Sequence, residues 1–307
     1  MGKNAIRRQA WKVVWRDFRE KHAVRCGGCG RIHSRNLWRR LRRKAPAVRM
    51  QGAWYCRTEC LERALAVLIE RTHPVSGRNA GAAHRIPLGL LLLSRQQLTA
   101  EQLRTALDLQ RSTGKGKIGE WLQNLGFATE RQITAALARQ WACPVLRTGP
   151  EGLGLRRLTM IPALLLESFQ MIPVELAEST GTLLIAFSEH IDHTMLYAVE
   201  QMLGYRTEAC FVCPSTLQQG LQALAQSRGA GDVMFDRMED AGECARIVGS
   251  YTAKLGAEEV RMAKCGNHIW IRLEGLRREA VNLVLRAPAG AASELALGLA
   301  AAPAFLR

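Results

Sequence analysis

A unit of 24 residues occurs twice between Pro87 and Gln140, and no other feature of this 307-residue chain restricts its fold as much. The first copy reads PLGLLLLSRQQLTAEQLRTALDLQ and the second KIGEWLQNLGFATERQITAALARQ. In register they share Gly89 with Gly119, Leu92 with Leu122, Thr99 with Thr129, Gln102 with Gln132, Leu107 with Leu137 and Gln110 with Gln140. Such self-similarity marks one supersecondary unit used twice. In each copy a Thr precedes a helical pattern and a Gln stands three residues on, the arrangement of a capping box, so a helix is predicted to begin at the same point in both. Leu98, Leu103, Ala106 and Leu107, and likewise Ala128, Ile133, Ala136 and Leu137, fall on one helical face, and those faces are expected to pack together. Capping and packing leave the glycines and terminal glutamines over. A fixed Gly beside an apolar run predicts close approach by another helix or by a ligand.

This pattern resembles the tandem motif of the MshE-type (GspE N-terminal) domain of type II secretion and type IV pilus assembly ATPases: Arg-Leu-Gly, an apolar pair, Gly, then Leu-x3-Leu-x2-Gln. In that family the motif can bind cyclic di-GMP, so the resemblance implies nucleotide-binding roles for Arg85, Leu88, Gly89, Gln110, Lys117, Gly119 and Gln140. The chain departs from the pattern at several places. Where the family has Arg, copy one has Pro87 and copy two Lys117; where it has Gly at the tenth position, copy one has Gln96 and copy two keeps Gly126. The spacer from Arg111 to Gly116 is one residue longer than usual. A planar guanidinium stacks on guanine or clasps phosphate at two points, which Pro cannot do and Lys does only as a point charge. Arg85, two residues early, is the candidate substitute. Two readings stay open: a nucleotide sensor, or a degenerate repeat that keeps the packing and has lost the ligand.

Residues 160–224 resemble the α/β remainder of the same domain, with strands expected at 183–187 and 209–213, a helix at 194–203 between them and a closing helix. The resemblance covers roughly half of the chain. Past a linker near 226–232, a helix at 240–255 and alternating segments at 259–264, 268–273 and 280–285 predict a helix followed by a three-strand meander. This part is faintly similar to the second domain of those ATPases. A P-loop string, Gly-x4-Gly-Lys-Ser/Thr, does not occur; Lys115-Gly116-Lys117 is followed by Ile.

Cys26-Gly-Gly-Cys29-Gly and Trp54-Tyr-Cys56-Arg-Thr-Glu-Cys60 form two close cysteine pairs separated by 26 residues, the spacing of a structural zinc site. Gly27, Gly28 and Gly30 let the first pair turn as a knuckle with N–H groups toward sulfur. The second pair stands at i, i+4 at the start of an amphipathic helix over 57–71. Together they resemble a treble-clef finger with Zn2+ as cofactor, the alternative being ordinary reduced thiols. Cys143, Cys210, Cys213, Cys244 and Cys265 are read as core. Cys210-Phe-Val-Cys213 falls in an expected strand, where residues three apart face opposite ways.

Charge is divided unevenly. Residues 1–74 hold 19 basic and 5 acidic side chains, a net +14 of the whole chain's +16. Between the cysteine pairs lie Arg35, Trp38, Arg39, Arg40, Arg42, Arg43 and Lys44, and upstream Arg7, Arg8, Lys12, Arg16 and Arg19 alternate with Trp11, Trp15 and Phe18. Clustered Arg with interleaved aromatics suits nucleic acid, through phosphate neutralisation and base stacking. A solvated basic face, or one docked on an acidic protein or anionic membrane surface, is the competing reading. Ile32-His33-Ser34-Arg35-Asn36 lacks the second metal-ligand His of an HNH nuclease, and His190-Ile-Asp-His193 reads as a strand-to-helix turn. No catalytic constellation stands out, so no enzyme is expected.

The expected architecture is α+β and multidomain: a basic zinc-finger module at 1–74, a linker at 75–84, and a secretion-ATPase N-terminal-like domain at 85–226. That domain comprises the motifs at 87–110 and 117–140 and an α/β part at 156–226. A small α+β domain at 233–288 and a flexible tail at 289–307 follow. No apolar run approaches the roughly 20 residues that span a bilayer, no signal-peptide h-region is present, and the cysteine usage fits a reducing cytoplasm. The expected function is that of a non-catalytic cytoplasmic regulatory or adaptor protein; the alternative is an interaction component of a secretion or pilus machine with a purely structural finger.

Overall fold

The computed structural model describes residues 23–34, 47–71, 85–146, 160–227, 232–236, 240–275 and 280–286. Arg35, Trp38, Arg39, Arg40, Arg42, Arg43 and Lys44, the linker at 75–84 and the tail at 289–307 lie outside them. In chain order, β1 (Ala23–Arg25), β2 (Ile32–Ser34), β3 (Val48–Met50), β4 (Ala53–Tyr55) and α1 (Thr58–Arg71) come first. The tandem helices are α2 (Leu88–Ser94), α3 (Ala100–Thr113), α4 (Ile118–Asn124) and α5 (Glu130–Gln140). Then follow α6 (Ala163–Ser168), β5 (Met171–Ala177), β6 (Thr182–Phe187), α7 (His193–Leu203), β7 (Arg206–Phe211) and α8 (Pro214–Ser227). The last group is β8 (Asp232–Phe235), α9 (Ala241–Leu255), β9 (Glu259–Cys265), β10 (His268–Glu274) and β11 (Ala280–Arg286). The elements sort into two compact units, one made of Met1–Val75 with Gly231–Arg307 and the other of Ser76–Ala230.

Within Ser76–Ala230 the repeat folds as its local code dictates. Thr99 accepts from the Gln102 N–H and Thr129 from the Gln132 N–H, while each Gln side chain accepts from the N–H of its Thr, completing both capping boxes. Helix α2 packs on α5 and α3 on α4, so the first helix of each copy lies against the second helix of the other. Their shared core contains Leu92, Leu98, Ala106, Leu122, Ala128, Ile133 and Ala136. The α/β part is a three-stranded sheet in the order β5-β6-β7, with β5 antiparallel and β7 parallel to β6. The parallel pair needs a crossover, and α7 supplies it. Strand β5 has no counterpart in the sequence-based expectation; Pro173 and a bulge between Pro173 and Glu175 break its alternation. Strand β7 begins and ends earlier than expected, leaving Cys213 beyond its end.

The other unit departs furthest from expectation. Helix α9, capped by Asp240, and the antiparallel run β9-β10-β11 form as predicted. Their sheet, however, has six strands in the order β4-β3-β9-β10-β11-β8. Strand β3 joins β9 in parallel through Arg49↔Glu259 and Met50↔Val260, and β8 joins β11 in parallel. The finger segment and the C-terminal segment are therefore one body, whereas the sequence reading separated them. Its core mixes Leu61, Leu65 and Ile69 of α1 with Cys244, Ala245 and Val248 of α9 and Val260, Ile271 and Leu283 of the sheet. A three-residue strand such as β3 buries Val48 and Met50 only by joining a wider sheet, because an isolated hairpin is marginal in water. No helix among the described residues is long and apolar enough to cross a membrane.

Candidate metal centre and tandem-motif site

Four cysteines converge from two stretches of chain. The β1–β2 connection is a tight knuckle in which the Cys26 N–H donates to the Arg31 carbonyl and the Gly30 N–H to that of Cys26. Gly30 sits at φ +70°, a conformation side chains seldom adopt. Gly28 is fixed by crowding instead: a Cβ there would stand 2.7 Å from the Cys60 Cβ and 2.8 Å from its carbonyl oxygen. The knuckle is pinned to β4 where the Gly27 N–H donates to the Trp54 carbonyl at 2.8 Å. Cys60 lies in the first turn of α1, and Cys56 just before it.

The four sulfurs lie within 4.8 Å of one another. Cys29 and Cys56 are 3.7 Å apart at Sγ, Cys56 and Cys60 3.8 Å, and all four cysteines are free of disulfides. A tetrahedral ion with metal–sulfur bonds of about 2.3 Å has sulfur–sulfur edges of about 3.8 Å, so the observed spacing fits a four-thiolate ion. The electrostatics are graded. Burial opposes ionisation of Cys26, yet N–H groups of Cys29, Cys56 and Gly28 directed at its sulfur bring the thiol down from 9.0 to about 6. Cys56 is pushed up to about 12 by burial and by the neighbouring thiols, and Cys60 is raised mainly by burial. Arg63, one turn along α1, points Nη2 at the Cys60 sulfur at 3.8 Å. Sequence reading missed that contact, although the i, i+3 spacing from Cys60 announces it.

Other suspected metal ligands take different places. Among the described residues, Cys26, Cys29, Cys56 and Cys60 are the group of His, Cys, Asp or Glu side chains close enough to hold an ion. His33 lies against Trp54, with ring centroids 5.3 Å apart. Asp192 of the His190-to-His193 turn caps α7 by accepting from the Met195 N–H. Cys210 is buried and its thiol pushed up to about 12.

The tandem motif presents a crossed pattern. Gln110, ending copy one, donates to the carbonyl of Gly116, the residue before copy two, at 2.9 Å. Gln140, ending copy two, donates to the carbonyl of Ile86, the residue before copy one, at 2.7 Å. Each glutamine thus closes the start of the other copy. The glycines serve packing: a Cβ on Gly89 would meet the Leu103 Cδ1 at 2.7 Å, and one on Gly119 the Ile133 Cγ2 at 3.3 Å and Leu88 Cδ2 at 3.5 Å. Leu103 and Ile133 are themselves equivalent positions of the repeat. The tenth position is left-handed in both copies, with φ +56° at Gln96 and +70° at Gly126.

The motif's two entrances are unlike. Lys117 pairs with Glu189, and its N–H is capped by Glu120. Arg85 instead lays its guanidinium on the Trp141 ring, with Cζ 3.2 Å from the centroid, and His193 flanks the same indole at 6.0 Å. Trp141 follows the final Gln of copy two, where Arg111 follows that of copy one. It lies outside the repeated unit, so aligning the copies does not mark it.

No family model matches the chain. Over 121 residues, 39% of this chain, the sequence is 29% identical to the type IV pilus assembly ATPase PilB of Thermus thermophilus. The match spans 14% of that protein's length. Among solved structures, the chain is similar to MshE with cdg at 26% identity and a TM-score of 0.38, covering 46% of this chain and 99% of that one. Two crystal forms of the N-terminal domain of XpsE match at 20% and 23% identity with TM-scores of 0.34 and 0.26, covering 44% and 43% of this chain and 91% and 89% of theirs. The resemblance read from the tandem motif to pilus assembly ATPases is thus borne out in sequence over 39% of the chain.

Proposed function

We infer that this is a non-catalytic regulatory or adaptor protein of the cytoplasm, in which the tandem motif senses cyclic di-GMP and a zinc-stapled basic module delivers the output on nucleic acid. One observation carries the reading: the 24-residue motif is folded in both copies, with both capping boxes formed and both terminal glutamines exchanged between copies. Sequence similarity to an assembly ATPase supports the same origin for the motif. Arg85, Leu88, Gly89, Gln110, Lys117, Gly119 and Gln140 are the residues to which the motif resemblance assigns the ligand under this reading. Under this reading the four thiolates hold zinc, for which a tetrahedral four-cysteine set is a usual structural site, and the ion acts as a staple joining knuckle to helix.

Thermal-shift titration of the full chain with cyclic di-GMP, using GTP as control, tests the sensor. Stabilisation should rise with ligand concentration as linkage requires and be specific to the cyclic dinucleotide; a flat response removes it.

A second reading has its own support. Lys117, Gln110 and Gln140 already have partners within the protein, as expected of a motif kept for packing. The protein would then be a docking component of a secretion or pilus machine. Retention on nucleic acid separates the two. The regulatory reading requires salt-dependent binding that is lost when Arg39, Arg40, Arg42 and Arg43 become Ala, and the docking reading requires none.

A further inference from the structure

The four sulfurs of the cysteine cluster are not equally placed. Cys26 and Cys60 are 1% and 4% exposed, whereas Cys29 is exposed and Cys56 half-buried. The donors of the site go to the buried pair. The N–H groups of Gly28 and Cys56 point at the Cys26 sulfur, each at 3.4 Å, and Arg63 Nη2 points at that of Cys60 at 3.8 Å. Gly28 also lies too close to the Cys60 backbone for a Cβ to fit between them. N–H donors draw charge from a thiolate and weaken it as a nucleophile, and burial keeps a solvent-borne reagent away. Cys29 and Cys56, the two more accessible members, have their sulfurs 3.7 Å apart and come from the two different stretches that the site joins.

We propose that Cys29 and Cys56 form an oxidative modification site: a peroxide converts them to a disulfide, which expels the ion and replaces the metal staple by a covalent one between the same two stretches. The inference rests on the metal reading above. Distance alone does not select the pair, because Cys56 and Cys60 are 3.8 Å apart. Exposure does, since the first attack needs a sulfur that the peroxide can reach. The Cys29 thiolate attacks one peroxide oxygen, the O–O bond breaks, and the sulfur becomes a sulfenic acid while hydroxide leaves and takes a proton from solvent. The Cys56 thiolate then attacks the Cys29 sulfur, forming the S–S bond and releasing a second hydroxide, which is protonated likewise. Two electrons pass from the sulfurs to the peroxide, two protons are taken up, and two waters form. Cys26 and Cys60 are then half of a tetrahedral set, so the ion is lost. A Cys26–Cys29 or Cys56–Cys60 linkage would leave the knuckle untied from α1, whereas Cys29–Cys56 keeps them tied.

The test treats the full chain, loaded with zinc at neutral pH, with hydrogen peroxide. A metal-indicator dye follows release, and mass spectrometry after thiol alkylation maps the disulfides. Cys29–Cys56 should be the main linkage, with roughly one ion released per disulfide formed, and dithiothreitol with zinc should reverse both. Calorimetry of the oxidised chain should still show the transition of the finger-containing unit, because the new crosslink restrains the unfolded chain; chelation of the reduced chain should abolish it. Arg63→Ala uncovers the Cys60 sulfur and should raise the share of Cys56–Cys60 linkage several-fold, while Arg63→Lys, which keeps a donor there, should leave it low; an unchanged share in Arg63→Ala overturns the shielding role of Arg63. A zinc-loaded chain that forms chiefly Cys26–Cys29 or Cys56–Cys60, that releases its ion with Cys29 still open to alkylation, or that keeps its ion under peroxide overturns the inference and leaves the metal centre standing. A purified chain that takes up no zinc overturns both.

Discussion

The two units reach order by opposite routes. In Ser76–Ala230 the first four helices follow one another within a contiguous stretch, and the starts of α3 and α5 are written locally by a Thr and the Gln three residues on. In the other unit, β3 finds its neighbour β9 across the whole length of the intervening chain, and four sulfurs from two separate stretches come within ion-binding distance. One unit is specified by repetition of short-range signals, the other by long-range pairing anchored on a side-chain cluster. Stability of the first should therefore be spread over many small local terms, and that of the second concentrated.

The largest expected effect follows from this concentration. Removing the metal with a chelator at neutral pH should abolish the calorimetric transition of the finger-containing unit, since apparent binding free energies in comparable sites are on the order of 10 kcal/mol. The transition of Ser76–Ala230 should survive unchanged; a chelated protein that keeps both transitions would show that the sulfurs are not a staple. Next in size are Leu65→Ala and Leu122→Ala, each emptying a fully buried site at about 3 kcal/mol. Hydrogen exchange should show Leu65→Ala loosening β9 to β11 as well as α1, because the core is shared. Protection lost only in α1 would mean that the two segments are coupled weakly.

Smaller effects separate the two copies of the repeat. Gly89→Ala pushes a Cβ to 2.7 Å from Leu103 and should destabilise by about 1–2 kcal/mol in urea unfolding, whereas Gly119→Ala meets Ile133 at 3.3 Å and should be close to neutral. Equal costs would mean that Leu103 swings aside freely. Smallest is Gln96→Gly, which relieves a left-handed non-glycine residue and should stabilise by about 0.5 kcal/mol; Gly126→Ala, the converse change, should destabilise by about 1 kcal/mol.

Legibility in the sequence follows the same division. Helices α3 and α5 could be read because caps and helical periodicity act within one turn, and the cysteine cluster because ligand spacing survives as spacing; the seven-residue α2 and α4 were not marked as helices. Strand β5 was hidden by Pro173 and its bulge, which spoil alternation. The six-stranded sheet was hidden because Val48-Arg49-Met50 alternates like many exposed segments, and nothing within three residues names β9 as its neighbour. At the motif, Gly89 and Gly119 were correctly marked as points of close approach, but the crossing of Gln110 and Gln140 was not legible, since each amide bonds beyond its own copy. Trp141 was missed for a plainer reason: its partner Arg85 lies 56 residues earlier, outside the repeat on the opposite side.

Because Ser76–Ala230 interrupts the other unit, the order in which the chain leaves the ribosome matters. Arg49 must wait for Glu259 before the parallel pair can close, a delay of about 10–40 s at ordinary rates of synthesis. All four sulfurs emerge before the interruption begins, so an ion can gather the knuckle and α1 while their sheet is still unmade. The interrupting unit, complete in itself, then folds and shortens the span that the late strands must bridge. If the four sulfurs hold an ion, a nascent chain starved of it would leave the knuckle and α1 ungathered through that interval, and the yield of native protein should then fall with metal supply during translation.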